Sequence, residues 1–344
     1  MGNVLQSIGA WVCSAALGIM GGSMLARPAA AAMGQPTDGQ IGMQLPATPI
    51  AVEIDWFHNY VTVIIFAIAL FVLGLMVYVV LRFNERANPT PSRFSHNTMI
   101  EVAWTVIPVL ILVAIGIFSF KLLYMQYTFP PPDLTIKSTA NAWFWEHEYP
   151  DEDDLNVTQN MVRDEDVLRA AIGDEAFDER FGELEGVELS RALYRASLPL
   201  WQKMPAQRQL ATDNPIAVPV NKVVHVLVTS NDVIHGWAMP SFGSRVQAVP
   251  GRTTATWFKA TKTGAFFGQC AVLCGQFHAS MPIEIHVVQE PVYNEWLAAA
   301  KADDWERAKK ILFDALPGSD TAKAVALARP KPASAVSVAA TNAR

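Results

Sequence analysis

The sequence predicts a two-helix transmembrane hairpin followed by an all-β sandwich domain with an acidic, partly helical insertion. Three observations predict it. Two long apolar runs, Val61 to Leu81 and Val102 to Phe120, lie close together in the first third of the chain. From Leu134 onward the pattern changes to short segments rich in β-branched residues. An acidic stretch at about residues 151–213 interrupts those segments.

The composition agrees. Of 344 residues, 51% are hydrophobic and only 17% charged, which suits a chain partly within a membrane. The net charge of −6 argues against nucleic acid and favours a positively charged protein partner. Residues 1–32 read as a signal peptide: Ile8 to Leu25 is apolar and small, and Pro28 to Ala32 offers small residues for processing. Residues 33–55, rich in Pro, Gly and Gln, read as an extended N-terminal arm.

The hairpin is expected over residues 56–125. Each apolar run is long enough to cross a hydrocarbon core of about 30 Å. Pro108, inside the second, is tolerated where neighbouring groups satisfy the freed carbonyl. The short connection carries Arg82, Arg86 and Arg93, which places it in the cytoplasm and both long ends outside. A two-helix hairpin buries little polar chemistry, so a larger membrane partner is expected beside it.

The β domain is expected over 130–290. Leu134–Lys137, Ile216–Val220, Val223–Val228, Thr253–Lys259 and Ile283–Val288 are its candidate strands, punctuated by Pro-Gly and Asn-Asp turn signals. Within the insertion, Asp164 to Ile172 and Leu189 to Lys203 have helical spacing. Residues 291–316 read as an amphipathic C-terminal helical segment of one helix or two, and the Ala-, Pro- and Ser-rich residues 317–344 as a disordered tail.

The chemistry concentrates in Cys270-Ala-Val-Leu-Cys274-Gly-Gln-Phe-His278-Ala-Ser-Met281. Two thiols alone, in an oxidising compartment, would form a disulfide. His278 and Met281 serve no disulfide, whereas thiolate, imidazole and thioether together are the soft set that selects copper. Mononuclear copper carriers use one Cys with His and Met on such a loop; a second Cys lets two thiolates bridge two metals. His235, upstream in Asp232-Val-Ile-His235, offers a second imidazole. With no Cys-x-x-Cys-His, the chain attaches no c-type haem.

The hairpin, Trp143-Phe144-Trp145, Asp232-Val-Ile-His235, Ala248-Val-Pro-Gly-Arg252 and the Cys-x3-Cys-x3-His-x2-Met loop come in one order. That ordered set resembles subunit II of the haem–copper cytochrome c oxidases, over roughly residues 50–300. The resemblance implies a cupredoxin-like Greek-key sandwich on the periplasmic side of a bacterial inner membrane. It implies a binuclear copper centre, CuA. Cys270 and Cys274 would bridge the coppers, His235 and Met281 complete one, and His278 with the backbone carbonyl of Val272 complete the other. Electrons would arrive from cytochrome c at Trp143 and leave for haem in subunit I, where oxygen is reduced to water with proton pumping. Subunit III and membrane lipid are the other implied partners.

The resemblance also places Glu101 at the mouth of a proton path into subunit I, and Glu148 and Asp232 on the surface that docks cytochrome c. Two departures matter. Val272 and Gln247 stand where the family has Glu and Asp, so loss or weak binding of the magnesium or manganese ion at the subunit interface is expected. Phe144 and Ala142 replace a usual Tyr and Gln beside Trp143. Alternative expectations are the copper subunit of another terminal reductase, such as a nitric oxide reductase, and a membrane-bound copper-delivery protein. A quinol oxidase subunit would lack these copper ligands.

Overall fold

The computed structural model describes residues 34–316 apart from 38, 91, 205 and 206. The expected signal peptide and C-terminal tail therefore lie outside the described residues.

Helix α1 (Pro49–Arg82) and helix α2 (Thr98–Tyr127) form the hairpin. Thr48 starts α1: its hydroxyl accepts from Ala51 N at 3.0 Å and donates to Phe242 O at 2.8 Å. Pro49 follows at the first helical position, where its missing N–H costs nothing. The helix thus begins inside the segment expected to be extended, because a capping Thr followed by Pro outweighs the Pro-rich composition. Asn97 caps α2 by accepting from Met99 N and Ile100 N.

At 34 and 30 residues the helices run about 51 and 45 Å, well beyond a hydrocarbon core of about 30 Å. Their outer ends therefore reach the β domain. Those ends are tied to each other by Lys121–Glu53 at 3.3 Å and by Trp56, stacked on Tyr60 and edge-on to Phe118. They are tied to the domain by Trp257 Nε1 donating to Gln126 O at 3.1 Å and by His225 Nε2 donating to Pro130 O at 2.8 Å. Gly243, at φ +67°, lets α1 approach: a Cβ there would lie 2.7 Å from Ile54 Cδ1.

The β domain is two five-stranded sheets. One has the order β3-β2-β1-β5-β8 and the other β4-β10-β9-β6-β7. The strands are β1 (Leu134–Asn141), β2 (Phe144–Tyr149), β3 (Leu155–Gln159), β4 (Ile216–Pro219) and β5 (Val223–Ser230). They continue with β6 (His235–Met239), β7 (Ser244–Ala248), β8 (Thr254–Lys259), β9 (Gly264–Cys270) and β10 (Pro282–Val288). The β1–β5 and β4–β10 pairs are parallel and the others antiparallel.

In β1 and β5 every second residue is buried, the pattern of a sheet with one face on the core. Ile136, Val226, Trp237, Phe258 and Phe266 fill the space between the sheets. Strand β10 is buried throughout because a second layer covers its outer face. There Glu284 accepts from Thr212 N at 2.7 Å and from His286 Nε2 at 2.9 Å, and Phe313 lies edge-on to His286.

The insertion forms α3 (Asp164–Ile172), α4 (Asp174–Phe181) and α5 (Gly186–Trp201). Leu168, Phe177 and Phe181 make a small core of their own. Asp164 holds its base together: Arg208 makes a two-pronged ion pair with it, and Ser197 Oγ and Trp201 Nε1 donate to it at 2.9 and 2.8 Å. The C-terminal segment is two helices, α6 (Glu290–Lys301) and α7 (Trp305–Asp314). The break falls at Asp303, whose φ of +57° leaves the helix, and Asp304 then caps α7.

Candidate metal centre

Three loops meet at one end of the sandwich. The β1–β2 turn brings Trp143, the β5–β6 loop brings Asp232 and leads into His235, and the β9–β10 loop carries Cys270 to Met281. Cys270 and Cys274 are both buried and neither is in a disulfide; their Sγ atoms stand 3.8 Å apart. Each thiol has its own imidazole. His235 Nδ1 is 3.9 Å from Cys270 Sγ, and His278 Nδ1 is 3.5 Å from Cys274 Sγ. Met281 Sδ lies 3.6 Å from Cys274 Sγ, and the Val272 carbonyl oxygen 3.2 Å from Cys270 Sγ. His235 and Met281 are fully buried.

Two imidazoles, a thioether and a carbonyl oxygen thus converge on two sulfurs. The donor set fits copper, since thiolate, thioether and imidazole are its ligands. His235, Cys270 and Cys274 bring ligand atoms within 4.8 Å of one another. His278 approaches from the Cys274 side, so the cluster has two lobes that share the thiols.

Electrostatics prepare one thiolate and resist the second. Burial pushes the Cys270 thiol up, but hydrogen bonding to His235 and nearby backbone groups more than offsets this and brings it below the usual thiol range. Burial and then the charge on Cys270 push Cys274 well above that range. Two adjacent thiolates need a cation between them, and a metal supplies it.

Asp232 shapes both His235 and the Trp143 turn. Its Oδ1 accepts from His235 Nε2 at 2.7 Å and from Val233 N at 2.6 Å, and its Oδ2 accepts from Ala142 N at 2.5 Å. The proton is thereby held on His235 Nε2, which leaves Nδ1 facing the sulfurs. Burial raises the Asp232 carboxyl, and its bonds to His235, Val233 and Ala142 more than reverse that, so it stays below the ordinary carboxylate range. Trp145 Nε1 donates to Met281 O at 3.2 Å, and the Trp145 ring lies edge-on to His235.

The Trp143 ring sits on the metal loop, with Nε1 donating to Cys274 O at 3.1 Å. Gly275, at φ +117°, makes room for it: a Cβ there would lie 3.1 Å from Trp143 Cζ2. Glu148 is on β2 and is paired with Lys137 at 2.7 Å. Glu101 is far from this centre, in the first turn of α2. Val272 turns its side chain toward Gly236, and Gln247 lies opposite Gly236 on β7.

Sequence reasoning missed the parts played by Trp145 and Asp232 in holding the ligands. The Asp-x-x-His spacing was the available signal for Asp232, since a carboxylate three residues before a ligand His is placed to take its second N–H.

Comparisons with known proteins give the chain its family. Residues 36–122 match the family described as the transmembrane domain of cytochrome c oxidase subunit II, and residues 198–288 match its periplasmic domain. The chain is similar to cytochrome c oxidase subunit 2 of Cereibacter sphaeroides, at 41% identity over 290 residues, covering 82% of this chain and 90% of that one. It is also similar to the subunit 2 of Zea mays, at 35% identity over 265 residues, covering 75% and 88%. Among solved structures, the periplasmic domain of subunit II of cytochrome oxidase from Bradyrhizobium japonicum matches 51% of this chain and 99% of its own, at 38% identity and a TM-score of 0.38.

Proposed function

The chain belongs to the cytochrome c oxidase subunit II family, and from that premise we propose that it receives electrons from cytochrome c at a binuclear copper centre on the periplasmic side of the membrane. It passes them to haem in subunit I of the same complex. The observation that carries this reading is the pair of thiols 3.8 Å apart, each with its own imidazole.

Cys270, Cys274, His235, His278, Met281 and the Val272 carbonyl would hold the copper, the two thiolates being shared between the lobe of His235 and Met281 and the lobe of His278 and Val272. A copper pair bridged by two thiolates, when bound, supplies a one-electron store shared between both metals. The protein's part is to hold the donors still. Asp232 fixes the tautomer of His235, Trp145 holds the Met281 backbone, and strands β6 and β9 carry ligands directly, so little reorganisation accompanies a change of charge. Trp143, bonded to the Cys274 carbonyl, is the ring through which electrons enter.

The exposed apolar sides of α1 and α2 face lipid and the partner subunits I and III. Residues 1–32 act as the signal that sends residues 130–290 outward. Glu101, in the first turn of α2 at the cytoplasmic side, takes up protons for subunit I. Glu101→Gln slows turnover of the complete oxidase while leaving copper content and cytochrome c oxidation by the copper centre unchanged; a variant with full turnover would remove that role.

At the subunit interface this chain offers Val272 and Gln247, neither of which is the carboxylate that magnesium or manganese prefers. The interface ion is therefore absent or weakly held. One tightly bound manganese or magnesium per purified complex would refute this. A nitric oxide reductase subunit or a copper-delivery protein is not favoured, given relatives that match the hairpin and the ligand domain together. The experiment for the main reading is metal analysis of the purified complex: two coppers on this chain support it, and one or none would overturn it.

A further inference from the structure

Phe277 supplies no ligand to the metal, yet it lies against the ring that receives electrons. It meets Trp143 edge to face, with centroids 5.0 Å apart and planes at 74°. Phe277 as a whole is 44% exposed. Trp143 is thus held on three sides: by the Cys274 carbonyl at Nε1, by the bare backbone of Gly275 beneath it and by Phe277 at its edge.

The loops that carry this pair and its neighbours expose further apolar side chains beside the polar Gln276 and Asn231. Leu273, at the tip of the metal loop, is 81% exposed, and Val233 and Ile234 stand out from the neighbouring loop. The two acids expected to dock a basic partner are engaged within the chain: Glu148 with Lys137, and Asp232 with His235 and two backbone N–H groups. An apolar, aromatic centre with its charges tied down or set at the margin is the anatomy of a protein–protein contact. Aromatic residues at such a centre carry a large share of binding energy.

Resting on the reading that Trp143 takes electrons from cytochrome c, we propose that Phe277 is a docking residue for that transfer. Its inner edge rests on the Trp143 ring, and its exposed face contacts the apolar surface around the redox group of the incoming cytochrome c. The occupant is an electron-carrier protein because the patch is continuous with Trp143 and, through the Cys274 carbonyl, with the metal loop. Specificity among donors would then follow from apolar shape at Phe277 and Leu273 more than from Glu148 or Asp232.

The test uses the complete, copper-loaded oxidase. Phe277→Ala raises KM for cytochrome c about tenfold and changes kcat by less than about twofold. The copper absorption and electron paramagnetic resonance spectra stay those of the wild type. Phe277→Tyr restores KM, and Phe277→Leu, which keeps bulk without the ring, is intermediate. Wild-type KM in Phe277→Ala would overturn the proposal, as would failure of Tyr to restore it. Copper spectra that shift in Phe277→Ala would also overturn it, by making the residue a support of the ligand loop alone. A wild-type complex that oxidises no cytochrome c would remove the premise itself, whereas a working wild type indifferent to Phe277→Ala removes only the proposal.

Discussion

Asp232→Ala separates ligand positioning from partner docking. The substitution removes the acceptor for His235 Nε2 at 2.7 Å and for the backbone N–H groups of Val233 and Ala142. A hydrogen bond to a charged group contributes about 1.5–3 kcal/mol, which is roughly 10–150-fold in an equilibrium constant. Loss of an outer-shell partner of a ligand His typically costs about 10–100-fold in metal affinity. The Asp232 side chain is 34% exposed, so water competes for the carboxylate and the lower part of the range applies. Copper affinity should therefore fall about 10–30-fold in Asp232→Ala. It should fall about threefold in Asp232→Asn, which keeps size and an acceptor but not the charge. The assay is a competition titration of the reduced, metal-free protein against a chelator of known affinity at fixed salt. Wild-type affinity in Asp232→Ala would mean that the carboxylate does not hold His235 for the metal. If only KM for cytochrome c changed, Asp232 would belong to the docking surface.

Other predictions concern stability and the thiols. Gln159 uses its amide N–H groups on the Asn214 and Glu284 carbonyls, so its oxygen accepts from His147 Nε2, and His147 Nδ1 accepts from Ser138. Burial holds this neutral imidazole down to a pKa of about 4, from an ordinary 6.5. The unfolded chain therefore takes up a proton below pH 6.5 while the folded one does not. Stability is full above that pH and falls by about 3 kcal/mol as pH drops to about 4. Urea unfolding of wild type and His147→Gln across that window should show the variant with the shallower dependence; parallel curves would contradict it. Asp164→Ala strips Arg208 of its partner and should destabilise the insertion by about 2–3 kcal/mol, read as early loss of hydrogen-exchange protection in α3 and α5. Mild oxidation of the metal-free protein should join Cys270 to Cys274, whose sulfurs are 3.8 Å apart, and block copper uptake until a thiol reductant is added. Undiminished copper uptake after oxidation would contradict that.

The legible parts of the chain were those where one physical demand governs a contiguous run. Two spans must be apolar along their whole length, and Val61 to Leu81 and Val102 to Phe120 announce that. A metal loop must hold its soft ligands a few residues apart, which Cys270 to Met281 does. Strands β1, β5 and β10 were legible from β-branched residues, and α3 from its helical spacing over Asp164 to Ile172. Strands β6 and β7 were not, since His235-Gly-Trp-Ala-Met239 and Ser244-Arg-Val-Gln-Ala248 carry little β-branching and owe their form to pairing with each other. The buried Glu284 and His286 on β10 were illegible for a related reason: only the return of the chain at Thr212 and the packing of α7 bury that face. Asp232 read as a surface acid because sequence places it in a loop, whereas the meeting of three loops gives each of its oxygens a partner inside the chain.

Electron paramagnetic resonance on the purified complex, with copper counted on the same sample, decides whether this chain holds a shared copper pair. Two coppers are expected on this chain, with a hyperfine pattern of one unpaired electron shared equally between two copper nuclei. That pattern should collapse to a localised one in Cys274→Ser. A pattern of one copper nucleus in the wild type, or a spectrum without any such signal from oxidised protein that contains copper, would contradict the shared pair.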